Sequence, residues 1–542
     1  MFEVVRTDNG ASFRLCSLRL FNHPILHEID LQFSNENDTP NNVYTTVIIG
    51  ENGIGKSCLL GSIVEIFCYL EKLIVVGNAI PPGYYFDIEY KLNNHRFKFT
   101  NFSDEKPYQV RKIYKRYYLY KDGDDINLNR GASPQRVIAS ATTISDKFVA
   151  SSTEMFRYKG LRNENSPSTT GTRTMVKKTV QSLLESLDIK SGFKQELKDL
   201  LEDLHFYPKL ELSYKLKYSN EFVSEDVDAL KIKNLLFERR KRTRNKYFEA
   251  KEHYLYRKNE EEDNYGRNEE DYYRIKQEEE YNRNLKEISF KKWEDEELRK
   301  YDAAADFYRK LARRGINGNI LTYSLLGEDN IASQDKDSIM LLTALDLLSY
   351  PSLKVFKMNE GYEFDNSSSG ESSMFCQMVN IMSVIEPGSM ILIDEPECST
   401  HPNWQISYIK WLEEIFKNYN TCHFIVSTHS HLLLSDLKKD NSSIIALSRD
   451  DNKRVVDICE GINTYGWTTD DILYEVFGVR NKFNEALQRD LERAIQLLEE
   501  NGPVSDDEID QILARFNKVY RGVKDPLGSF IKELEEYAKS KA

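Results

Sequence analysis

Eight residues near the start of the chain, Gly50-Glu51-Asn52-Gly53-Ile54-Gly55-Lys56-Ser57, have the types and the spacing of a loop that holds phosphate. Glycines at 50, 53 and 55 let the backbone curl so that successive N–H groups point inward at an anion, and a helix starting there adds its partially positive N-terminus. Lys56 would reach the β- and γ-phosphates of a nucleotide such as ATP, and Ser57 would hold Mg²⁺. Cys58 closes the same binding stretch. Average residue frequencies give a chance match on the order of a few hundredths of a time in a chain this long. A Gly-rich turn without function is therefore the weaker explanation.

A second set of residues could complete a hydrolytic site. Met390-Ile391-Leu392-Ile393-Asp394-Glu395 reads as a buried strand delivering two carboxylates at its C-terminal end, where open α/β sheets place ligands. Asp394 suits the Mg²⁺ shell, and Glu395 is placed to orient or deprotonate a water. Taken alone, the stretch could be a buried strand followed by an acidic turn. Upstream, Ser367-Ser368-Ser369-Gly370-Glu371 opens an apolar helical pattern and offers another set of anion-facing N–H groups, although Ser-rich turns are common helix starts. Downstream, Thr421-Cys422-His423-Phe424-Ile425-Val426-Ser427-Thr428-His429 is a β-run ending in a histidine. A histidine at a strand end is usually structural, but the chain order gives His429 a use as a γ-phosphate sensor.

The elements that must position these groups follow from periodicity. Val43–Ile49 reads as a buried strand before the loop, and Cys58–Phe67 repeats apolar residues at helical spacing after it. Phe13–Leu20 and Ile25–Phe33 alternate with period two, as do Tyr84–Tyr90 and Arg96–Phe99, which predicts a strand-rich first lobe with an antiparallel ribbon. Arg111–Lys121 is basic and aromatic together, and Gln135–Ser140 reads as a buried strand. From Thr174 to Ile316 the pattern becomes helical throughout, and between Asp226 and Lys310 it is dominated by Glu, Lys, Arg, Asn and Tyr, with Asn264-Tyr265-Gly266 as a turn between two arms. Broken heptad-like spacing of Leu285, Ile288 and Trp293 argues against a long parallel coiled coil.

Composition narrows the function classes. A chain of 542 residues should hold more than one domain, and seven cysteines without a C-x-x-C pair and nine histidines without ligand spacing indicate neither a disulfide framework nor a zinc site. No secretory leader and no apolar run of membrane-spanning length is present, so the expected setting is the reduced cytoplasm with no membrane contact. A net charge of −13 argues against a uniformly nucleic-acid-binding surface but leaves a local basic patch open.

The ordered set of motifs resembles the ATP-binding-cassette ATPases, in particular the SMC-like branch that includes DNA-repair heads and phage-defence ATPases. Gly50–Ser57 matches the Walker A loop, Ser367–Glu371 the signature motif, Met390–Glu395 the Walker B strand and His429 the switch histidine. The resemblance implies that two heads sandwich two ATP molecules, with Ser369 and Gly370 contacting the γ-phosphate held by a partner's Lys56. It gives Ser57 and Asp394 to Mg²⁺, Glu395 to water activation and His429 to phosphate sensing. Ser367 replaces the usual leucine of the signature, and Gln135 is a weak candidate for the glutamine that normally follows the first lobe's core strands. Pro396–Pro402 resembles the Glu-x-x-x-His-Pro loop of stand-alone cytosolic ATPases rather than a transporter cassette.

The expected fold class is therefore α/β: an ABC-type ATPase head with a mixed sheet carrying the phosphate loop, interrupted by a charged helical insertion and followed by a helical tail. The divisions are an ATPase lobe over 1–165, a helical or short coiled-coil insertion over 166–318, a second lobe over 319–460 and a partner-binding helical region over 461–542. The tail pattern Thr464–Gly478 lacks the metal-binding strands of OLD-family nucleases, and the acidic Asp506-Asp507-Glu508 reads as a helix start. Architecture and tail resemble the ATPase subunit of Septu-type anti-phage systems, including retron-linked ones. That resemblance implies a dimer or higher even oligomer, a separate HNH nuclease as partner and, in the retron-linked form, a reverse transcriptase with its DNA. The other reading is a repair-type head acting directly on DNA, for which Arg239–Lys246, Arg309-Lys310 and Arg313-Arg314 would supply the basic surface unless they are half of a charge-balanced helix.

Overall fold

A computed structural model describes residues 11–34, 43–102, 117–162, 172–187, 190, 192–238, 298–315, 319–327, 334–357, 360–367, 369–435, 437, 440–449, 455–457, 467, 471–472, 485–499, 506–519 and 527–541. The chain divides into two compact units, Met1–Trp467 and Thr468–Ala542. Among the described residues of the first unit there are three sheets.

An antiparallel sheet comes first. It contains β1 (Phe13–His23) and β2 (His27–Gln32), and β3 (Tyr44–Gly50) and helix α1 (Lys56–Val76) follow in sequence before β4 (Tyr85–Leu92), β5 (His95–Thr100), β6 (Tyr118–Lys121) and β7 (Asp124–Asp125) complete it in the order β2-β1-β4-β5-β6-β7. β3 belongs instead to a seven-stranded sheet. Its later strands are β8 (Val137–Ala141), β9 (Phe156–Tyr158), β14 (Met390–Asp394), β15 (His423–Ser427), β16 (Ser442–Arg449) and β17 (Val455–Asp457), in the order β17-β16-β3-β15-β14-β8-β9. Every pair from β16 to β9 is parallel, and only β17 runs against its neighbour. β8, β14 and β15 are buried along their whole length, which is why they read as continuous apolar runs rather than alternations.

α1 lies in the core shared by these two sheets. Leu59, Leu60, Ile63, Val64, Ile66, Phe67 and Leu70 are buried in one cluster with Phe13, Phe86 and Ile88 of the antiparallel sheet and Leu392, Ile425 and Ile445 of the parallel one. A helix with sheet on both sides must be apolar around most of its circumference, and the segment after the phosphate loop is. Burying it fixes the height at which the loop stands.

His423 ties the two sheets at the start of β15. Its Nδ1 accepts the backbone N–H of Leu15 at 3.0 Å and its Nε2 meets Thr46 Oγ1 at 2.8 Å, while Arg14 donates to the carbonyl of Cys422. Burial, and then the nearby Arg14, hold the ring far below the usual histidine range.

The interval expected to be helical from Thr174 to Ile316 is only partly so. α2 (Thr172–Ser186) and α3 (Phe193–Asp203) are followed by a strand, β10 (Leu210–Lys215), which pairs antiparallel with β11 (Ile320–Ser324) and β12 (Ser352–Lys357); β13 (Glu360–Glu363) closes this third sheet. Leu210, Leu212 and Tyr214 alternate with less buried residues, a period-two signal too short to stand out beside the amphipathic helices before it. β10 is held by partners more than a hundred residues later, so a boundary at 318/319 would cut through a sheet. Helical segments over 229–238 and 298–313 flank the interval 239–297, which lies outside the described residues together with Arg239–Lys246, the Asn264-Tyr265-Gly266 turn and the acidic runs. So do residues 103–116 and most of Thr464–Gly478.

The second unit contains helices Glu485–Glu499, Asp506–Val519 and Leu527–Lys541. Ala494, Leu497, Ile509, Ile512, Phe516, Ile531 and Leu534 bury themselves against one another as its own core. Among the described residues no helix is long and apolar enough to cross a membrane.

The His423 pin makes a pH prediction. The unfolded chain takes a proton on this residue near a pKa of about 6.5, whereas the folded chain does so only at much lower pH. The stability it supports is complete above the unfolded value and is lost as pH falls below it, at up to about 1.4 kcal/mol per pH unit. His423→Asn should melt below the parent at pH 7.5, and the gap should narrow toward pH 5.5 in thermal scans. A gap that stays constant over that range would contradict this account.

Candidate functional site

The strand register assembles the site. Across the parallel sheet Leu447 pairs with Gly50, Ile48 with Ser427, Ser427 with Asp394 and Asp394 with Ala141, so these strands end at one level. The phosphate loop, the two carboxylates and His429 all follow such C-terminal ends. Sheet geometry thus gathers side chains more than 300 positions apart in sequence.

The loop itself needs its glycines. Gly50, Gly53 and Gly55 adopt φ of +153°, +79° and +112°. A Cβ on Gly50 would stand 2.6 Å from the carbonyl oxygen of Leu447, and one on Gly55 would stand 2.5 Å from a methyl of Leu26. No side chain caps the N-terminus of α1, which leaves the helix end to an anion.

Lys56 is only 4 % exposed. Its Nζ donates to the carbonyls of Gly50 and Glu51 at 2.7 and 3.2 Å and to His429 Nδ1 at 3.0 Å. Burial lowers its pKa to about 8, opposed by Glu395, Glu397 and Asp394. An ammonium can only donate, so Nδ1 of His429 accepts and Nε2 carries the proton that meets Glu395 Oε1 at 2.9 Å. That hydrogen bond from His429 is the main cause holding the Glu395 carboxyl below its usual range, so Glu395 is a carboxylate. Lys56, His429 and Glu395 form one hydrogen-bonded line.

Asp394 is the buried acid, 1 % exposed. Burial raises its carboxyl, and hydrogen bonds from Ser427 and Ser57 oppose the shift. Ser57 Oγ donates to Asp394 Oδ1 at 3.1 Å, and Ser427 donates to the same oxygen. A hydroxyl and a carboxylate side by side are hard oxygen donors, the set that Mg²⁺ takes alongside substrate phosphates. The residues present therefore fit the metal.

Glu395 leaves its strand with φ +49°, a left-handed conformation unusual for a non-glycine residue and common at functional sites. Its N–H donates to Ser427 O at 3.0 Å, and Thr142, just past β8, donates to its carbonyl at 2.7 Å. These anchors turn the Glu395 side chain away from the path of Asp394.

Other expected site residues stand differently. Helix Ser369–Met382 begins at Ser369 as anticipated, and Gly370 backs onto the loop after Glu395: a Cβ there would meet Ser399 O at 2.9 Å. Glu371 is paired with Lys357 at 2.6 Å. Cys58 is half-buried within α1, and Ile54 is buried under the loop. Gln135 does not reach the site. Its N–H bonds Gly388 O before the start of β8, at the end of the sheet opposite to Asp394, because a residue that begins a parallel strand lies at the wrong end of it. Of the basic candidates at 309–314, three are paired with acids: Arg309 with Asp306, and Lys310 and Arg314 with the fully buried Asp335 at 2.7 and 2.8 Å; Arg313 is exposed.

Sequence reasoning missed Thr142, Ser427 and Glu397. Ser427 and Thr142 could have been flagged as the polar residues that end two apolar strand runs. His401 of the His-Pro pair caps helix Pro402–Ile415 by accepting the Asn403 N–H at 3.2 Å.

With this geometry in place the chain can be compared with known proteins. A family model described as an AAA ATPase domain matches residues 14–434, most of the chain, and the chain belongs to that family. It is an α/β ATPase with a helical C-terminal region. The matched span contains Lys56, Ser57, Asp394, Glu395 and His429. Among solved structures it is similar to the Smc head domain with an extended coiled coil, bound to the C-terminal domain of ScpA, from Pyrococcus furiosus. That likeness has 10 % identity and a TM-score of 0.30, and covers 82 % of this chain and 96 % of that one. It is also similar to the SMC head domain from Thermotoga maritima, with 10 % identity, a TM-score of 0.33 and coverage of 82 % and 99 %. No curated protein matches the chain.

Removing the Lys56 ammonium should cost the phosphates a charged hydrogen bond. Lys56→Ala is expected to weaken ATP binding roughly ten- to a hundredfold in Kd, measured by fluorescent-nucleotide titration. Parental affinity would rule out Lys56 as the phosphate contact.

Proposed function

We propose that this ATPase is the nucleotide-driven sensor subunit of an anti-phage defence complex, forming ATP-sandwich dimers and restraining a separate HNH-type nuclease. The observation that carries the hydrolytic part is the line Lys56–His429–Glu395 beside the Ser57–Asp394 pair at one edge of the parallel sheet. ATP is the substrate: its phosphates would lie on the glycine loop and the α1 N-terminus, with Lys56 on the β- and γ-phosphates. Ser57 and Asp394 would hold Mg²⁺, whose positive charge would offset that of the phosphates. Glu395, ionised and hydrogen-bonded to His429, would orient the attacking water and accept its proton. Lys56 would exchange the carbonyls of Gly50 and Glu51 for phosphate oxygens, and His429 would register that exchange because its Nδ1 is bonded to the same ammonium. The balance is ATP plus water to ADP plus phosphate.

Dimerisation rests on the resemblance of Ser369 and Gly370 to a signature motif, which in that family acts on a partner's nucleotide. The defence assignment rests on the architecture, a cassette with a short helical insertion, and on the tail pattern. In that arrangement nucleotide occupancy sets the pairing of heads, and the insertion or the tail passes the state to the nuclease and, in a retron-linked system, to a reverse transcriptase and its DNA. The pairing of Arg309, Lys310 and Arg314 with acidic partners weakens the alternative of a head that binds DNA through those residues.

Glu395→Gln should retain ATP, accumulate an ATP-dependent dimer in size-exclusion light scattering, and slow hydrolysis by roughly a hundredfold or more. Turnover at the parental rate would remove Glu395 from its role. A tagged Glu395→Gln protein, purified from cells carrying its native gene neighbourhood, tests the biological reading. Stoichiometric co-purification of a small nuclease is expected; nucleic acid alone, released by salt, would favour the repair-type head.

A further inference from the structure

We propose that Glu397 is a positioning residue that fixes His429 against Glu395 by holding its backbone, a role that rests on the ATPase reading above. Glu397 Oε1 accepts the backbone N–H of His429 at 2.6 Å, while two residues earlier Glu395 Oε1 accepts Nε2 of the same histidine at 2.9 Å. One short loop therefore grips His429 at both ends. With the backbone held, the ring can move only by rotating its side chain, and the line from Lys56 to Glu395 keeps its length.

The loop is shaped for this. Glu395 exits its strand in the left-handed region, and Pro396, buried and with its φ fixed, carries the chain to Glu397 without offering a donor that would compete for either carboxylate. Cys398 N–H then returns to Glu395 O at 3.3 Å, and both the N–H and the hydroxyl of Thr400 bond Glu397 O at 3.0 and 2.8 Å. On the opposite side Thr428 N–H bonds Ile48 O at 2.9 Å and its side chain hydrogen-bonds Glu397, while Ser430 Oγ donates to Gln405 at 2.6 Å, so the residues on either side of His429 are anchored as well. Burial pushes the Glu397 carboxyl up, opposed first by the His429 N–H. A group whose charge is disfavoured where it sits serves by its acceptor oxygen, and an amide oxygen can replace it.

Geometry and charge are separated by a pair of variants. Glu397→Gln keeps reach and acceptor but loses the charge; Glu397→Asp keeps the charge but falls a methylene short. The Gln protein should hydrolyse ATP within about threefold of the parent, and the Asp protein should lose roughly tenfold or more in kcat with little change in KM, as expected when a catalytic group is misplaced by a fraction of an ångström. A second readout needs no turnover. In protein labelled with ¹⁵N-histidine, the His429 amide proton should resonate far downfield in the parent and in Glu397→Gln and move upfield in Glu397→Asp. Assignment follows from loss of that signal in His429→Gln. Asp faster than Gln, or parental kcat in the Asp protein with a shifted amide, would overturn the proposal, as would an amide that does not move. A parent that binds but never hydrolyses ATP would overturn the ATPase reading alone, leaving the amide shifts to judge the clamp.

Discussion

A buried ammonium must be surrounded by acceptors, and the rest of this site follows from that constraint. Lys56 is placed in the interior because α1 is packed between two sheets and begins with it. Its charge is disfavoured there, and the structure answers with two backbone carbonyls, an imidazole nitrogen and three nearby carboxylates. A triphosphate satisfies the same need with more charge. The resting contacts of Lys56 are thus the ones a nucleotide would replace, and since His429 is among them the exchange would be felt at Glu395.

The second requirement is that the two acids differ. Adjacent in sequence, Asp394 and Glu395 would project from an extended strand to opposite faces. The positive φ at Glu395, anchored by Ser427 O and Thr142, ends the strand there and sends the second acid to the imidazole while the first stays with the serines. Burial raises one carboxyl and the histidine lowers the other. Two neighbouring carboxylates in distinct environments can take distinct roles, one for a metal and one for a water.

The supports of the fold lie at the other end of the same strands. His423 joins β1, β3 and β15 where the strands begin, and Ser427, Asp394 and Gly50 line up where they end. Pinning the start of a strand fixes its register, and in a parallel sheet register decides which residues share the ligand edge. The third sheet, with β10 and β11 on either side of the charged insertion, ties the roots of that insertion to the body through Tyr308, Arg309 and Asp335.

The sequence by itself determined the phosphate loop, the strand carrying Asp394 and Glu395, the following histidine and most strands of the first lobe. Each is a local signal: glycines where the backbone must curl, apolar runs where both faces are covered, alternation where one is. It could not determine the β10 strand, whose partners lie far along the chain, nor the direction in which Gln135 faces, which depends on which end of a parallel strand meets the ligand edge. It gave no sign that Lys310 and Arg314 share one buried aspartate, since an ion pair across a loop leaves no periodicity. Glu397 is the sharpest case: as a letter it is one more acid after Glu395, and only the fold of the seven-residue loop 395–401 brings its oxygen to the backbone of His429.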